Sequence, residues 1–141
     1  MSGTGPAGDR SLDGDQLTLH LTAAAHRSES TSRQAAVGLL AETGWLRRIV
    51  TAHPAWIIDE GDGPVDLDWR AMAVDAQSGR IPKARNGDLA VLSLALSLHL
   101  SGYLVPLVEI VTALDAPQTE AALRAVARAA GQTGTWTGVW E

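Results

Sequence analysis

The sequence predicts a mainly α fold of the α+β kind, with a compact core of about five helices and short strands at its periphery. Three observations carry this reading. The longest apolar run, Leu89 to Leu100, is built from Leu and Ala with almost no β-branching, which favours a buried helix over a strand. Capping residues, glycines and prolines punctuate the stretch from Asn86 to Gly131 at helical intervals. Two short apolar pieces, Trp56-Ile57-Ile58 and Val65-Asp66-Leu67, flank a turn-forming segment rich in Gly, Asp and Pro, the signature of a hairpin.

Taken in order, residues 1–14 are rich in Gly, Ser, Pro and Asp and read as a disordered tail; they hold no apolar segment to act as a signal peptide. Residues 15–141 form a single helix-rich domain. Gln16 to Thr22 alternates, with Leu17, Leu19 and Leu21 on one side, and predicts a half-buried strand. A polar link, His26 to Ser32, follows. Ser32 then precedes a helix containing Val37, Leu40, Trp45, Leu46, Ile49 and Val50, with a weak point at Gly44 and an end before His53, because the residue ahead of Pro54 is biased away from helical geometry. After the hairpin, Asp68 is placed to cap a short helix over Trp69–Ala76 that ends near Gly79.

Residues 86–131 predict a three-helix core. Asn86-Gly87-Asp88 supplies capping residues, and Ser101-Gly102 ends the first helix. Ser93, Ser97 and Ser101 fall on one stripe, where a second helix can approach closely. Tyr103-Leu104-Val105 is an extended link, and Pro106 opens an amphipathic helix through Leu107, Val108, Ile110, Val111 and Leu114. Asp115-Ala116-Pro117 starts a third helix, with Ala122, Val126 and Ala129 on its apolar face and Glu120, Arg124 and Arg128 together on another. Gly131 closes it. Gly134 to Trp140 alternates like a strand and suits a wing or a sheet edge.

Composition narrows the function classes. The chain of 141 residues supports one core. It contains no cysteine, which removes disulfides, thiolate nucleophiles and thiolate metal sites and suits a cytoplasmic location. The net charge is −5, and basic and acidic residues balance from Arg80 onward. No basic stripe is visible, so nucleic-acid binding is disfavoured.

Motifs for chemistry are lacking. The acidic turn (Asp59, Glu60, Asp62, Asp66, Asp68) offers hard oxygen ligands, but it misses EF-hand spacing and reads as a solvated turn. A restriction-type nuclease centre would need an acid two residues before a lysine, and Ile81 precedes the sole lysine, Lys83, at that distance. His20, His26, His53 and His99 have no paired spacing for a metal. No Gly-x-Ser-x-Gly elbow is present. The sequence thus assigns no catalytic residue, metal or cofactor. Leu89 to Val108 has no formal charge apart from His99, yet Gly102 and Pro106 divide it into two segments too short to span a bilayer, so no membrane association is expected.

The order Thr43-Gly44-Trp45-Leu46-Arg47-Arg48, Asp68-Trp69, Gly87-Asp88-Leu89-Ala90-Val91-Leu92, Thr112-Ala113-Leu114-Asp115 and Ala125-Val126-Ala127-Arg128-Ala129-Ala130-Gly131 resembles a set of short uncharacterised proteins of high-GC bacteria, over Thr43 to Gly131. That resemblance implies no activity. Leu89 to Gly131 is also similar in layout to winged-helix repressors, with helix, short link, helix, recognition helix and wing. This second resemblance would turn Gln118, Thr119, Glu120, Arg124 and Arg128 toward DNA. It departs from the pattern in its alanine-rich recognition helix, in Glu120 facing phosphate and in a wing without Arg or Lys.

Two classes remain. The first is a small non-enzymatic module that docks a protein partner or itself, with Trp45, Trp56, Trp69, Trp136 and Trp140 as candidate anchors, because large rigid aromatics dominate interface energies. The second is a winged-helix-like DNA-binding transcriptional regulator. The charge distribution favours the first.

Overall fold

Asp13 caps the first helix, its carboxylate accepting from the Gln16 amide at 2.8 Å while the Gln16 side chain reaches back to the Asp13 amide. This capping box satisfies two of the donors that a helix start leaves free. The computed structural model describes residues 12–59, 61 and 64–131. Of the expected tail, only Leu12, Asp13 and Gly14 are among them.

Helix α1, Gly14–Ser28, occupies the segment expected to be a strand and the start of the expected polar link, His26 to Ser32. Leu17, Leu21 and Ala25 are buried at four-residue spacing, whereas Leu19 is 71 % exposed. The alternating leucines therefore contain a helical i, i+4 pair, and the capping box fixes the helical period. Glu29, with φ of 58°, turns the chain out of α1, leaving Glu29-Ser30 as the link.

Ser30 caps α2, Thr31–Glu42, through the Arg33 amide. Gly44, at φ of 80°, then separates it from α3, Trp45–Ala52, which stops before His53 as the sequence predicts. A 3₁₀ turn over Pro54–Trp56 leads into β1, Ile57–Ile58, paired antiparallel with β2, Asp66–Leu67; Ile57 faces Leu67 and Ile58 faces Asp66. With two residues in each strand, this hairpin is a clasp rather than a sheet layer. The Asp68 carboxylate accepts from Ala71 and caps α4, Trp69–Gln77.

Three helices form within residues 86–131: α5, Asn86–His99, α6, Leu107–Ala113, and α7, Ala116–Ala129. Asn86-Gly87-Asp88 makes the first turn of α5 instead of preceding it, with Asp88 reaching back to the Arg85 amide. Ala90, Val91, Leu92, Ala95 and Leu96 are buried, so helical spacing rather than alternation decides which leucines face inward. Helix α5 packs on α2, α4, α6 and α7, and α2 in turn carries α1, α3 and α7. The core lies between α2 and α5. The fold is mainly α, and among the described residues it has seven α-helices and one two-stranded antiparallel sheet. Two more helices than expected arise from α1 and from the break at Gly44.

The buried face of α7 also differs from the expected one. It is Ala121, Ala122 and Ala125, while Val126 is half exposed. Alanines let α7 lie close against α2, where the Thr31 hydroxyl donates to the Ala129 carbonyl at 2.9 Å and Arg124 meets Glu42. Backbone proximity and these polar ties outweigh the burial of one valine. The expected wing, Gly134 to Trp140, lies outside the described residues. Among those residues, no helix is long and apolar enough to cross a membrane.

Candidate protein-docking surface

Helix α6 has seven residues, too few to hold a helical form in water without tertiary support. That support comes from one side. Ile110 is buried, Ala113 is half-buried, and α6 packs on α5. The opposite side is uncovered: Leu104 in the lead-in loop is 88 % exposed, Leu107 63 %, Val108 73 % and Val111 53 %. Within α6, Leu107 and Val111 lie one turn apart on the same side with Val108 beside them, and Leu104 stands in the extended lead-in. Glu109 is the sole charged residue from Tyr103 to Leu114, and helical rotation places it on the far side from these three helical side chains.

The polar group beside them is already satisfied, since the Thr112 hydroxyl donates to the Val108 carbonyl at 2.8 Å. An open groove of about 670 Å³ runs along the α5–α6 junction past Leu89, Ser93, Pro106 and Ile110. Together the four exposed side chains present on the order of 400 Å² of apolar surface, within the range of the largest patch on an ordinary monomer, which is often functional.

The three tryptophans within the described residues lie elsewhere. Trp45, Trp56 and Trp69 are all buried and serve the interior of the domain. The Trp45 indole N–H donates to the Asp88 carbonyl at 3.0 Å, and that of Trp56 donates to the Asp75 carboxylate at 2.8 Å. Trp69 Nε1 is buried without a hydrogen-bond partner. Each indole has a companion over its face: Arg48 lies 4.9 Å above Trp45, His53 stacks at 4.1 Å on Trp56, and His99 lies 4.2 Å from Trp69. Burial, followed by the Arg48 guanidinium, holds the His53 imidazole below its ordinary pKa, with Asp75 opposing. Burial and then Arg33 do the same to His99, against Asp66. Trp136 and Trp140 lie outside the described residues.

On α7, the polar side chains that the winged-helix resemblance assigns to DNA are tied to the domain. Gln118 donates to the Asp88 carboxylate at 3.1 Å, and the Thr119 hydroxyl donates to the Asp115 carbonyl at 2.8 Å. Arg124 Nε donates to Glu42 at 3.0 Å, a hydrogen bond that pushes its pKa up. Arg128 lies across Gly38, where it borders a small pocket of about 190 Å³ with Thr22, His26 and Gln34. Glu120 is exposed. The arginines thus diverge, one held at Glu42 and the other over Gly38.

Of the acidic turn, Glu60 and Asp62 lie outside the described residues, and the other three acids are engaged structurally. Asp66 pairs with Arg33 at 3.1 Å, Asp68 caps α4, and Asp59 accepts from the Gly61 amide at 3.0 Å. The exposed face of α6 was visible in part, because Leu107, Val108, Ile110, Val111 and Leu114 make an apolar arc wider than one neighbouring helix covers. The chain matches no protein-family model, and no curated protein and no solved structure shows significant similarity to it.

Proposed function

We propose that this chain is a small non-enzymatic protein-interaction module that docks its partner through the outer face of α6. The observation that carries this reading is the exposure of Leu107, Val108 and Val111 on α6 and of Leu104 in its lead-in. Four large apolar side chains left in water cost the domain stability that a contact would recover, at roughly 25 cal/mol per Å² of apolar surface covered. Helix-in-groove and helix-on-helix contacts anchor on apolar side chains one turn apart, as Leu107 and Val111 are. The DNA-reading alternative has less support, since Arg124 and Gln118 are occupied by Glu42 and Asp88 and the chain is acidic overall.

A photocrosslinking side chain at position 108 tests the proposal in the native cell, with one at exposed Arg70 on α4 as the control. Docking through α6 gives a discrete protein adduct from position 108 and none from position 70. Adducts in equal yield from both positions, or from neither, would sink it.

A further inference from the structure

We propose that the cleft bordered by α1, α2 and α7 binds a small organic carboxylate, anchored by the Arg128 guanidinium. The site is separate from α6 and does not depend on the docking reading. Ala25 of α1 and Val37 of α2, both buried, give a cavity of about 190 Å³ an apolar floor. Its edge is polar: Thr22 and His26 of α1 and Arg128 of α7 are exposed there, and Gln34 of α2 is half-buried.

Arg128 is the group that calls for an anion. Arg33, Arg48 and Arg124 each meet a carboxylate on another element, at Asp66, Asp88 and Glu42. Among the described residues no carboxylate pairs with Arg128. Its guanidinium rests against α2 where that helix lacks a side chain, since a Cβ on Gly38 would lie 2.7 Å from Nη1. No acid lines the cavity. Arg128 therefore sets the local charge although the chain carries −5, because salt screens exposed charges more than about 10 Å away.

Shape and charge narrow the ligand. A planar guanidinium matches a carboxylate with two parallel hydrogen bonds, and the Gln34 amide and Thr22 hydroxyl offer further donors at the edge. An apolar cavity of about 150 Å³ holds benzene, so this one has room for a ring or a short branched chain beneath the carboxylate. Inorganic phosphate would leave Ala25 and Val37 uncovered. His26 and Arg128 also lie in the last turns of α1 and α7, whose partial negative charge opposes a dianion more than a single carboxylate. A ligand of about nine heavy atoms with one charged contact at an open edge binds with a Kd of about 0.1–5 mM.

Amide NMR of the full chain, titrated with benzoate at constant ionic strength, tests this. Arg128→Gln changes an exposed residue and Gly38→Ala suits a helix interior, so both variants should keep a folded spectrum; exposed Arg70→Gln on α4 is the control. The expected result is saturable shifts at Ala25, Val37 and Gly38, with binding at least about tenfold weaker in Arg128→Gln. Gly38→Ala, whose Cβ displaces the guanidinium, should bind at least about threefold more weakly, and Arg70→Gln should match the wild type. Benzyl alcohol, which lacks the charge, and inorganic phosphate, which lacks the apolar body, should each bind at least about tenfold more weakly than benzoate. No saturable shift up to about 20 mM benzoate, shifts centred elsewhere, or Arg128→Gln binding as the wild type does would overturn the proposal. Phosphate binding as tightly as benzoate would reduce the cleft to a general anion site, and benzyl alcohol doing so would reduce it to an apolar cavity; either result also overturns it.

Discussion

Arg48 on α3 and Asp88 in the first turn of α5 lie 3.2 Å apart, joining two helices forty residues apart in the chain. The same carboxylate accepts from Gln118 of α7 at 3.1 Å and from the Arg85 amide, while the Asp88 carbonyl accepts from the Trp45 indole. One residue thus ties α3, α5 and α7 together at the start of the central helix.

Replacing that residue, Asp88→Ala, should destabilise the domain by about 2 kcal/mol, because it strips a charged acceptor from three donors and removes a favourable acid from a helix N-terminus. Urea unfolding measures it. Asp88→Asn, which keeps an acceptor oxygen, should lose less, and equal stability of Asp88→Ala and the wild type would show that the junction contributes nothing.

Two helical glycines should respond with opposite sign to alanine. A Cβ on Gly87 would sit 3.0 Å from the Ala113 carbonyl and 2.5 Å from Gln118 Oε1, whereas one on Gly38 would meet only the mobile end of Arg128, at 2.7 Å. Gly38→Ala in the interior of α2 should therefore stabilise by about 0.5–1 kcal/mol through helix propensity. Gly87→Ala should destabilise by about 1 kcal/mol because a backbone oxygen cannot step aside. Paired thermal melts decide it, and stabilisation by both changes would mean that α5 and α6 stand further apart than described.

The stacked histidines set a pH dependence. His53 and His99 have folded pKa values below the ordinary imidazole value, so the unfolded chain takes up protons first as the pH falls. Their contribution to stability is complete above about pH 6.5 and is lost as the pH drops through the lowered folded values. Melting temperature should decline between pH 7.5 and 5.5, and His53→Gln with His99→Gln should flatten that decline. A wild-type profile as flat as that of the double variant would contradict it.

Local chemistry made much of this architecture legible. Gly44, Asp68, Pro106 and Asp115 announce a break, a cap, an opening and a cap without reference to distant residues, and the helices begin and end beside them. Leu19, one leucine on the surface, gives a helical pair, Leu17 and Leu21, the look of a strand-like alternation. Hydrophobicity ranks Val126 above the alanines of α7, whereas α7 packs on α2 with Ala121, Ala122 and Ala125 buried. Residue type alone marks the tryptophans as anchors; burial of Trp45, Trp56 and Trp69 follows from which helices surround them, and sequence spacing does not encode that. For α6 the residue types showed an excess of apolar surface, but only the packing on α5 shows which side remains bare.

Contact between α2 and α7 carries a consequence for synthesis. The Thr31 hydroxyl and the Ala129 carbonyl that join them are separated by 98 residues, and Glu42 waits 82 residues for Arg124. At roughly 5–20 residues per second on the ribosome, the nascent chain carries the α7-facing side of α2 uncovered for roughly 5–20 s. The domain closes only when its last described helix leaves the exit tunnel, so holdase chaperones have a defined interval and a defined surface on which to act.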